Sequence, residues 1–272
     1  MPAITGMEKT SLSDYPGKIA IIGFVGKTAH DDVGCNMRCP FCHNKELWHE
    51  FSEGAEDIEE AFLKRVHQTR GFVDAVVISG GEPTLLGADK LLELSNAIRK
   101  INPKFSLKLD TNGLKPDVLS FLIDQKAFDY YAMDIKGAIA TYSVRTGLLQ
   151  DEFDINAIRK SIDLIVGSGV DYEFRTTVIP SFNSSGIDEK KMKAEIESMI
   201  SDFDLLSKIT PNGNLVLQNY IPVPSYFENG LSSKDFKNLV HSLIPEFPFV
   251  VSRDEYSSRF VARKKNDYPK DF

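Results

Sequence analysis

Apolar and polar positions alternate along the chain in two patterns. Short runs rich in β-branched residues are typical of buried strands. Longer segments with apolar residues three or four positions apart are typical of amphipathic helices. The predicted strands are residues 19–25, 75–79, 106–110, 130–135, 172–179 and 215–221. The predicted helices are residues 58–69, 88–100, 116–125, 155–167 and 187–207, with a last helix at 233–243.

Local signals support several helix boundaries. Asp57 is a candidate N-cap of the first helix, Pro116 suits the first turn of the third, and Gly169 follows the fourth as a stop. Strands joined by helices of this length form βαβ units with a parallel sheet. The sequence therefore predicts an α/β fold, an open or partial parallel β/α barrel of about six strands, although a doubly wound sheet gives the same pattern. In both architectures active residues gather at the carboxyl ends of the strands.

Length and composition add a coarse frame. The 272 residues suit a single domain with a core at about 15–222 and a C-terminal extension, residues 223–272, in which 247–252 could add an edge strand. No apolar run approaches the roughly 20 residues that span a bilayer, and the N-terminus lacks the pattern of a secretory signal. We therefore expect a cytoplasmic protein without a membrane partner. The net charge of -7 argues against a nucleic-acid partner.

All three cysteines of the chain, Cys35, Cys39 and Cys42, lie within eight residues. Such clustering in a chain without secretory features indicates metal binding or redox catalysis rather than disulfides. A [4Fe–4S] cluster normally takes four cysteines, so three would leave one iron open to a small molecule. The alternative is a zinc site with His43 as a fourth ligand, but neighbouring residues seldom reach one tetrahedral ion together.

A glycine-rich turn follows the second predicted strand, with the sequence SGGEPT at residues 79–84. Gly80 and Gly81 allow a ligand to approach the backbone closely, and Glu82 can accept a hydrogen bond from an ammonium group. By itself this segment could equally be an ordinary strand-to-helix turn.

Two further strands end in carboxylates, in the segments LDTNG (109–113) and MDIK (133–136). A carboxylate at the end of an apolar strand needs a partner, because burying it unpaired is costly. Asp110 and Asp134 could therefore bind a cation or a polar cofactor, or could serve only in turns. Arg175 in the fifth predicted strand is expected to pair inward, and Gln218 in the sixth is placed to reach a cofactor from the opposite wall.

The CxxxCxxC spacing with an aromatic residue before the last cysteine resembles the radical S-adenosylmethionine superfamily. The resemblance implies that Cys35, Cys39 and Cys42 bind a [4Fe–4S] cluster whose open iron binds S-adenosyl-L-methionine. It also implies that Phe41 packs near the adenine. The segment 80–82, with its two glycines and Glu82, is similar to the family motif that binds the amino group of the cofactor.

The DTNG and DIK segments resemble the activating enzymes of glycyl radical enzymes. The resemblance implies a monovalent-cation site formed by Asp110, Thr111 and Asp134, with a backbone carbonyl near Ala132. The resemblance further implies that Lys136 lies near the cofactor or the substrate peptide. From their places at the strand ends, we also expect Asn112, Arg175 and Gln218 to bind the cofactor.

Within that group the chain is similar to the longer activating proteins of anaerobic ribonucleoside-triphosphate reductase, over about residues 7–222. The similar segments include KTSLSDYPGK (9–18) and DYEFRTTVIP (171–180). The resemblance implies an anaerobic oxidoreductase that cleaves S-adenosylmethionine to a 5'-deoxyadenosyl radical and makes a glycyl radical on the reductase. Flavodoxin or ferredoxin would supply the electron.

Other functions remain open at this level. A single-cluster radical enzyme could modify another peptide or a small molecule, and a zinc-stabilised binding module would carry no catalysis. Residues 26–33 form a longer and more polar link than the resemblance predicts. This link is either a surface insertion, since loops absorb length at little cost, or an altered contact with the partner.

Overall fold

One large sheet organises the computed structural model, which describes residues 3–28, 34–49, 51–52, 55–149, 154–184, 186–223, 226 and 229–253. Within these residues nine strands join in the order β1-β2-β4-β5-β6-β7-β10-β11, with β3 paired to β2. β1 runs antiparallel to β2, and every other neighbouring pair is parallel. The strands are β1 Ala3–Ser11, β2 Ala20–Thr28, β3 Phe51–Ser52, β4 Ala75–Gly80, β5 Ser106–Thr111, β6 Tyr130–Asp134, β7 Asp171–Val178, β10 Gly213–Asn219 and β11 Val250–Ser252.

Helices connect most of the parallel strands, and a separate two-stranded hairpin follows β7. The helices are α1 Glu46–His49, α2 Ala55–Thr69, α3 Ala88–Ile101, α4 Pro116–Asp124, α5 Ile139–Thr146, α6 Ile155–Gly167, α7 Glu189–Asp202, α8 Leu205–Lys208 and α9 Ser233–Leu243. The hairpin consists of β8 Phe182–Asn183 and β9 Gly186–Ile187. The open, mostly parallel α/β arrangement and its six predicted central strands are therefore confirmed, and the predicted edge strand is present as β11.

Two helix predictions were wrong in detail. Asp57 is not an N-cap, because α2 begins two residues earlier, at Ala55, and Asp57 lies in its first turn. The predicted helix 187–207 is two helices, α7 and α8, because Asp204 takes a left-handed φ of 54° that an α-helix cannot continue through. Residues 29–33 of the predicted insertion lie outside the described residues.

The two faces of the sheet differ in chemistry because side chains alternate along each strand. One face carries Leu107, Leu109 and Phe174 into the main core beneath the helices. The other face lines the interior of the barrel. A small apolar cluster that includes Tyr130 and Ala132 lies there, and the polar side chains of β5, β6 and β7 share that face.

The loop between β1 and β2, residues 12–19, closes the interior at the amino ends of the parallel strands. The Tyr15 ring packs 5.4 Å from that of Tyr130. Lys108 Nζ donates to the carbonyl oxygen of Asp14 at 2.6 Å. The segment that resembles reductase-activating proteins thus forms a floor beneath the cavity described below.

A contact at this floor joins the two edges of the sheet. Arg253 directly follows β11 at one edge, and its Nη2 donates to the carbonyl oxygen of Ser13, which follows β1 at the other edge, at 2.7 Å. Arg253 Nη1 also pairs with the buried carboxylate of Glu173 at 3.0 Å. The segment from Ser233 to Arg253 therefore contributes to the sheet and to the interior charges. No helix among the described residues is long and apolar enough to cross a membrane.

Candidate functional site

A cavity of about 320 Å³ opens at the carboxyl ends of the parallel strands. Parallel strands end at a common edge, so side chains that follow β2, β4, β5, β6, β7 and β10 meet there. Each of the predicted site residues lines this cavity, namely Cys35, Cys39, Phe41, Cys42, Gly80, Gly81, Glu82, Asp110, Thr111, Asn112, Asp134, Lys136, Arg175 and Gln218. Further residues that were not predicted as site residues also line the cavity, among them Asp14, Trp48, Ser79 and Thr177.

The three cysteines are free thiols on the loop after β2. Burial raises the pKa of Cys35 to about 12 and also raises the pKa of Cys39. The positive charge of Lys136 partly offsets the effect of burial on both thiols. Without a cationic ligand these thiols hold their protons, and a metal centre that displaces the protons would bind them as thiolates.

The donor set fits a cluster with one open iron. Three thiol groups share one cavity, and three thiolates satisfy three of the four irons of a cubane. Among the described residues no three His, Cys, Asp or Glu side chains are arranged to hold a single metal ion. The fit to a cluster therefore rests on the number and chemistry of the thiols, each of which would bind a different iron.

The backbone of the cysteine loop is held from two sides. The Arg38 amide donates to the carbonyl oxygen of Thr146, the last residue of α5, at 2.7 Å. The carbonyl oxygen of Gly34 accepts from the Glu82 amide at 3.0 Å. The Asn36 side chain accepts from Asn112 Nδ2 at 2.6 Å. Asn36 escaped sequence reasoning because nothing local marks it, and its partner is 76 residues away.

Glu82 joins two of the strand-end loops. Its buried carboxylate accepts hydrogen bonds from the amide and hydroxyl of Thr84, the hydroxyl of Thr111 and the amide of Asn112, at 2.6 to 3.1 Å. Burial raises the pKa of Glu82, and these donors oppose that rise. The predicted contact of Glu82 with a cofactor amino group stays a prediction, since the hydrogen bonds described here are made within the protein.

The two glycines before Glu82 are required by the packing of the protein itself. A Cβ at Gly81 would collide with the carbonyl oxygen of Gly34, and one at Gly80 would collide with the backbone of Val25. Gly80 also has a φ of 122°, which side chains rarely adopt. The glycines therefore let the turn lie directly against β2 and the cysteine loop.

Asp110 and Asp134 share one guanidinium group. Arg175 Nη1 lies 3.0 Å from Asp110 Oδ2, and Arg175 Nε lies 2.8 Å from Asp134 Oδ1. Lys136 Nζ lies 2.8 Å from Asp134 Oδ2. Burial raises the pKa of Asp134, but the charges of Arg175 and Lys136 outweigh that effect and lower the pKa to about 2. Arg175 thus pairs inward, as expected, and the Asp134 carboxylate is ionised at neutral pH.

The helix α5, which the sequence pattern did not reveal, positions the cysteine loop. Its first amide, that of Ile139, donates to the carboxylate of Asp202 at 2.8 Å, so its cap comes from the end of α7. It ends at Gly147, whose φ of 66° is left-handed. A Cβ at Gly147 would collide with the carbonyl oxygen of Arg38.

Gly147→Ala is therefore expected to destabilise the protein and to displace the cysteine loop. Gly169→Ala is the matched control, because Gly169 also has a left-handed φ, 72°, but no atom lies within 4 Å of the added Cβ. The control should lose about 1 kcal/mol from backbone strain, and Gly147→Ala about 1–3 kcal/mol more from the collision. Denaturant unfolding and iron content after anaerobic reconstitution measure the two effects. Equal losses in both variants would contradict the assigned contact.

Comparison with known proteins identifies the family. A model of the Radical SAM superfamily matches residues 33–189. A Methanocaldococcus jannaschii protein named "Putative glycyl-radical enzyme activating enzyme" is 34% identical over 226 residues, which cover 83% of this chain and 82% of that protein. The chain therefore belongs to the Radical SAM superfamily. Within it, the chain is an enzyme related to the glycyl-radical enzyme activating enzymes.

Shorter matches point the same way. The pyruvate formate-lyase 1-activating enzyme of Escherichia coli K12 is 37% identical over 84 residues, which cover 29% of this chain and 32% of that protein. A solved structure described as "Native anSMEcpe with bound AdoMet and Kp18Cys peptide" aligns with a TM-score of 0.57 and 19% identity. It covers 84% of this chain, which spans only 59% of that one, and at this identity the likeness concerns the fold alone.

Proposed function

We propose that this protein cleaves S-adenosylmethionine reductively and installs a glycyl radical on a partner enzyme. One observation carries the proposal: the three cysteines and all other predicted site residues line a single cavity, in a chain that matches a named activating enzyme over 83% of its length. The cavity's position at the carboxyl ends of the strands agrees with the place of active sites in β/α barrels.

Each group of cavity residues would have its own role in the reaction. Cys35, Cys39 and Cys42 would hold a [4Fe–4S] cluster, and Phe41 beside them would pack against the adenine of S-adenosylmethionine. When bound, the cluster would supply the electron for cleavage of this cofactor, and a glycine of the partner would then lose a hydrogen atom. Lys136 places a positive charge next to the thiolates, and Arg175 offers N–H donors to a carboxylate in the cavity.

The floor formed by residues 12–19 supports a single direction of access. Tyr130, the first residue of β6, packs against this loop, and Lys108 of β5 and Arg253, which follows β11, donate hydrogen bonds to it. The cofactor and the partner's glycine would therefore approach from the carboxyl ends of the strands, where the cysteines lie.

For the partner we infer anaerobic ribonucleoside-triphosphate reductase, with flavodoxin or ferredoxin as the electron donor in the cytoplasm. The support is the resemblance of residues 9–18 and 171–180 to the longer activating proteins of that reductase. The matches to pyruvate formate-lyase activating enzymes make pyruvate formate-lyase the alternative partner.

Radical transfer to candidate partners tests the function. The protein is reconstituted anaerobically with iron and sulfide, reduced, and incubated with S-adenosylmethionine and either the reductase or pyruvate formate-lyase. We expect methionine to form, and paramagnetic resonance to detect a glycine-centred radical on the reductase. A radical only on pyruvate formate-lyase would overturn the choice of partner. Methionine without a radical on either enzyme would contradict the activating function, and absence of methionine would contradict the cleavage itself.

A further inference from the structure

Two carboxylates of the cavity are bridged by a side chain from a third strand. Asp110 lies near the end of β5, and Asp134 is the last residue of β6. Arg175 lies next to them on β7. The guanidinium contacts Asp110 Oδ2 at 3.0 Å through Nη1 and Asp134 Oδ1 at 2.8 Å through Nε. The three side chains are 10%, 24% and 11% exposed, respectively, so the contacts are largely shielded from solvent.

We propose that Arg175 is the resident counter-ion of this cavity, so that the protein needs no inorganic monovalent cation. The resemblance to activating enzymes implies such a cation at Asp110, Thr111 and Asp134. In this chain the guanidinium lies between the two carboxylates that would bind the ion. The proposal concerns the cavity itself and holds whichever enzyme is the partner.

The remaining predicted cation ligand faces another group. The Thr111 hydroxyl donates to Glu82 Oε1 at 2.8 Å and accepts from the Gly113 amide at 3.1 Å. The second oxygen of Asp134 is paired with Lys136 at 2.8 Å. The second oxygen of Asp110, Oδ1, accepts no hydrogen bond, but Lys108 Nζ lies 3.5 Å from it, so this oxygen too already faces a positive charge.

Charge balance gives the same result. The connected side chains include three carboxylates, those of Asp110, Asp134 and Glu173, and four cations, namely Lys108, Lys136, Arg175 and Arg253. The network thus has an excess of one positive charge before any ion is added. Even when the neighbouring Glu82 carboxylate, which Thr111 contacts, is counted, the charges sum to zero, so charge balance requires no further cation. An arginine stays charged at any accessible pH and offers directed donors to two carboxylates at once.

The dependence on monovalent cations tests the proposal in the wild-type protein. Thermal unfolding of the cluster-free chain, and cofactor cleavage by the reconstituted chain, are measured in choline, sodium and potassium chloride at one ionic strength. We expect the same unfolding temperature and the same cleavage rate in all three salts. A saturable rise of either quantity with sodium or potassium would overturn the proposal, and this measurement needs no variant.

Arg175→Gln should make the unfolding temperature and the cleavage rate depend on sodium or potassium. Without the guanidinium, the two carboxylates face each other, and sodium or potassium should raise the unfolding temperature of the cluster-free variant in a saturable way. Cleavage should be about tenfold slower in choline than in potassium, the factor expected for one charge-assisted hydrogen bond. The double variant Asp110→Asn/Arg175→Gln should lose the salt response of the unfolding temperature, because one of the two carboxylates is gone.

The controls separate this effect from general salt screening. Lys160→Gln breaks an exposed ion pair with Asp117 and should show no preference for sodium or potassium over choline. Arg175→Lys keeps a positive charge and should respond less than Arg175→Gln. If Arg175→Gln unfolds in choline and in potassium alike, or folds and shows no preference between the salts, Arg175 is not standing in for a cation.

Discussion

Cys39→Ala is expected to abolish reductive cleavage of S-adenosylmethionine, leaving no methionine above background. Cys39 is the most deeply buried of the three cysteines, and two thiolates cannot replace three in holding a cluster with a single open iron. Iron and sulfide bound per chain should fall together with activity. Iron analysis, the visible absorption of the reconstituted protein and methionine release measure these changes.

A second variant, His43→Ala, distinguishes an iron–sulfur cluster from a zinc site. His43 lies next to Cys42 and also lines the cavity, and it would be the fourth ligand of a zinc site. If the cysteines hold a cluster, His43→Ala keeps its iron and its cleavage activity. If the protein instead binds one zinc ion per chain and no iron, and His43→Ala loses that zinc, the cluster assignment is wrong. Cleavage of S-adenosylmethionine that is retained in Cys39→Ala would also refute the cluster assignment.

Glu173→Gln is expected to cause the largest loss of stability, about 3–5 kcal/mol at neutral pH. The carboxylate is fully buried and pairs with Lys108, itself fully buried, at 3.1 Å and with Arg253 at 3.0 Å. Removing its charge leaves these cations, and Arg175 beside them, without their common counter-ion. Denaturant unfolding of both proteins measures the difference.

The loss of stability in Glu173→Gln should depend on pH and should be smaller in acid. Burial raises the pKa of Glu173, but Lys108, Arg253 and Arg175 outweigh it and lower the pKa from 4.5 to about 2. A lowered pKa stabilises the folded state above the unfolded pKa, and this stabilisation is lost as the pH falls from about 5 towards 2. The difference in free energy of unfolding between wild type and Glu173→Gln should therefore become smaller as the pH falls over that interval.

Asp117→Asn serves as the control for this prediction. Asp117 forms an exposed ion pair with Lys160, and solvent screens such pairs strongly. We expect no measurable change in its free energy of unfolding at any pH. An equal loss in the two variants, or a gap for Glu173→Gln that widens towards acid, would contradict the assigned network.

The central strands and most helices could be predicted because their periodicity is local. β1 was missed for a physical reason: it is an antiparallel edge strand whose outer half, Glu8 to Thr10, is polar and exposed. Its pattern therefore resembles a loop. α5 was missed because its N-terminal partner, Asp202, is 63 residues away in the sequence.

The shared location of the predicted site residues could also be predicted. Residues at the ends of parallel strands must lie near one another, so placing the motifs on strands was enough to bring Asp110, Asp134 and Arg175 together. The orientation of each side chain could not be predicted from the sequence. Nothing in the sequence indicates that the Asn112 side chain turns to Asn36 and Leu114, because that choice depends on the packing of separate loops.

The contact between Arg253 and Ser13 spans 240 positions of sequence. It joins the two edges of the sheet and also supplies one of the cations around Glu173. During synthesis on the ribosome, the first strands emerge long before the residue that will fasten them to the far edge. Closing so long a loop is slow compared with forming local contacts, so we expect the nascent chain to pass through a state with a formed but unfastened sheet. In that state Glu173 still lacks one of its cations, and its buried carboxylate is neutralised by Lys108 and Arg175 alone.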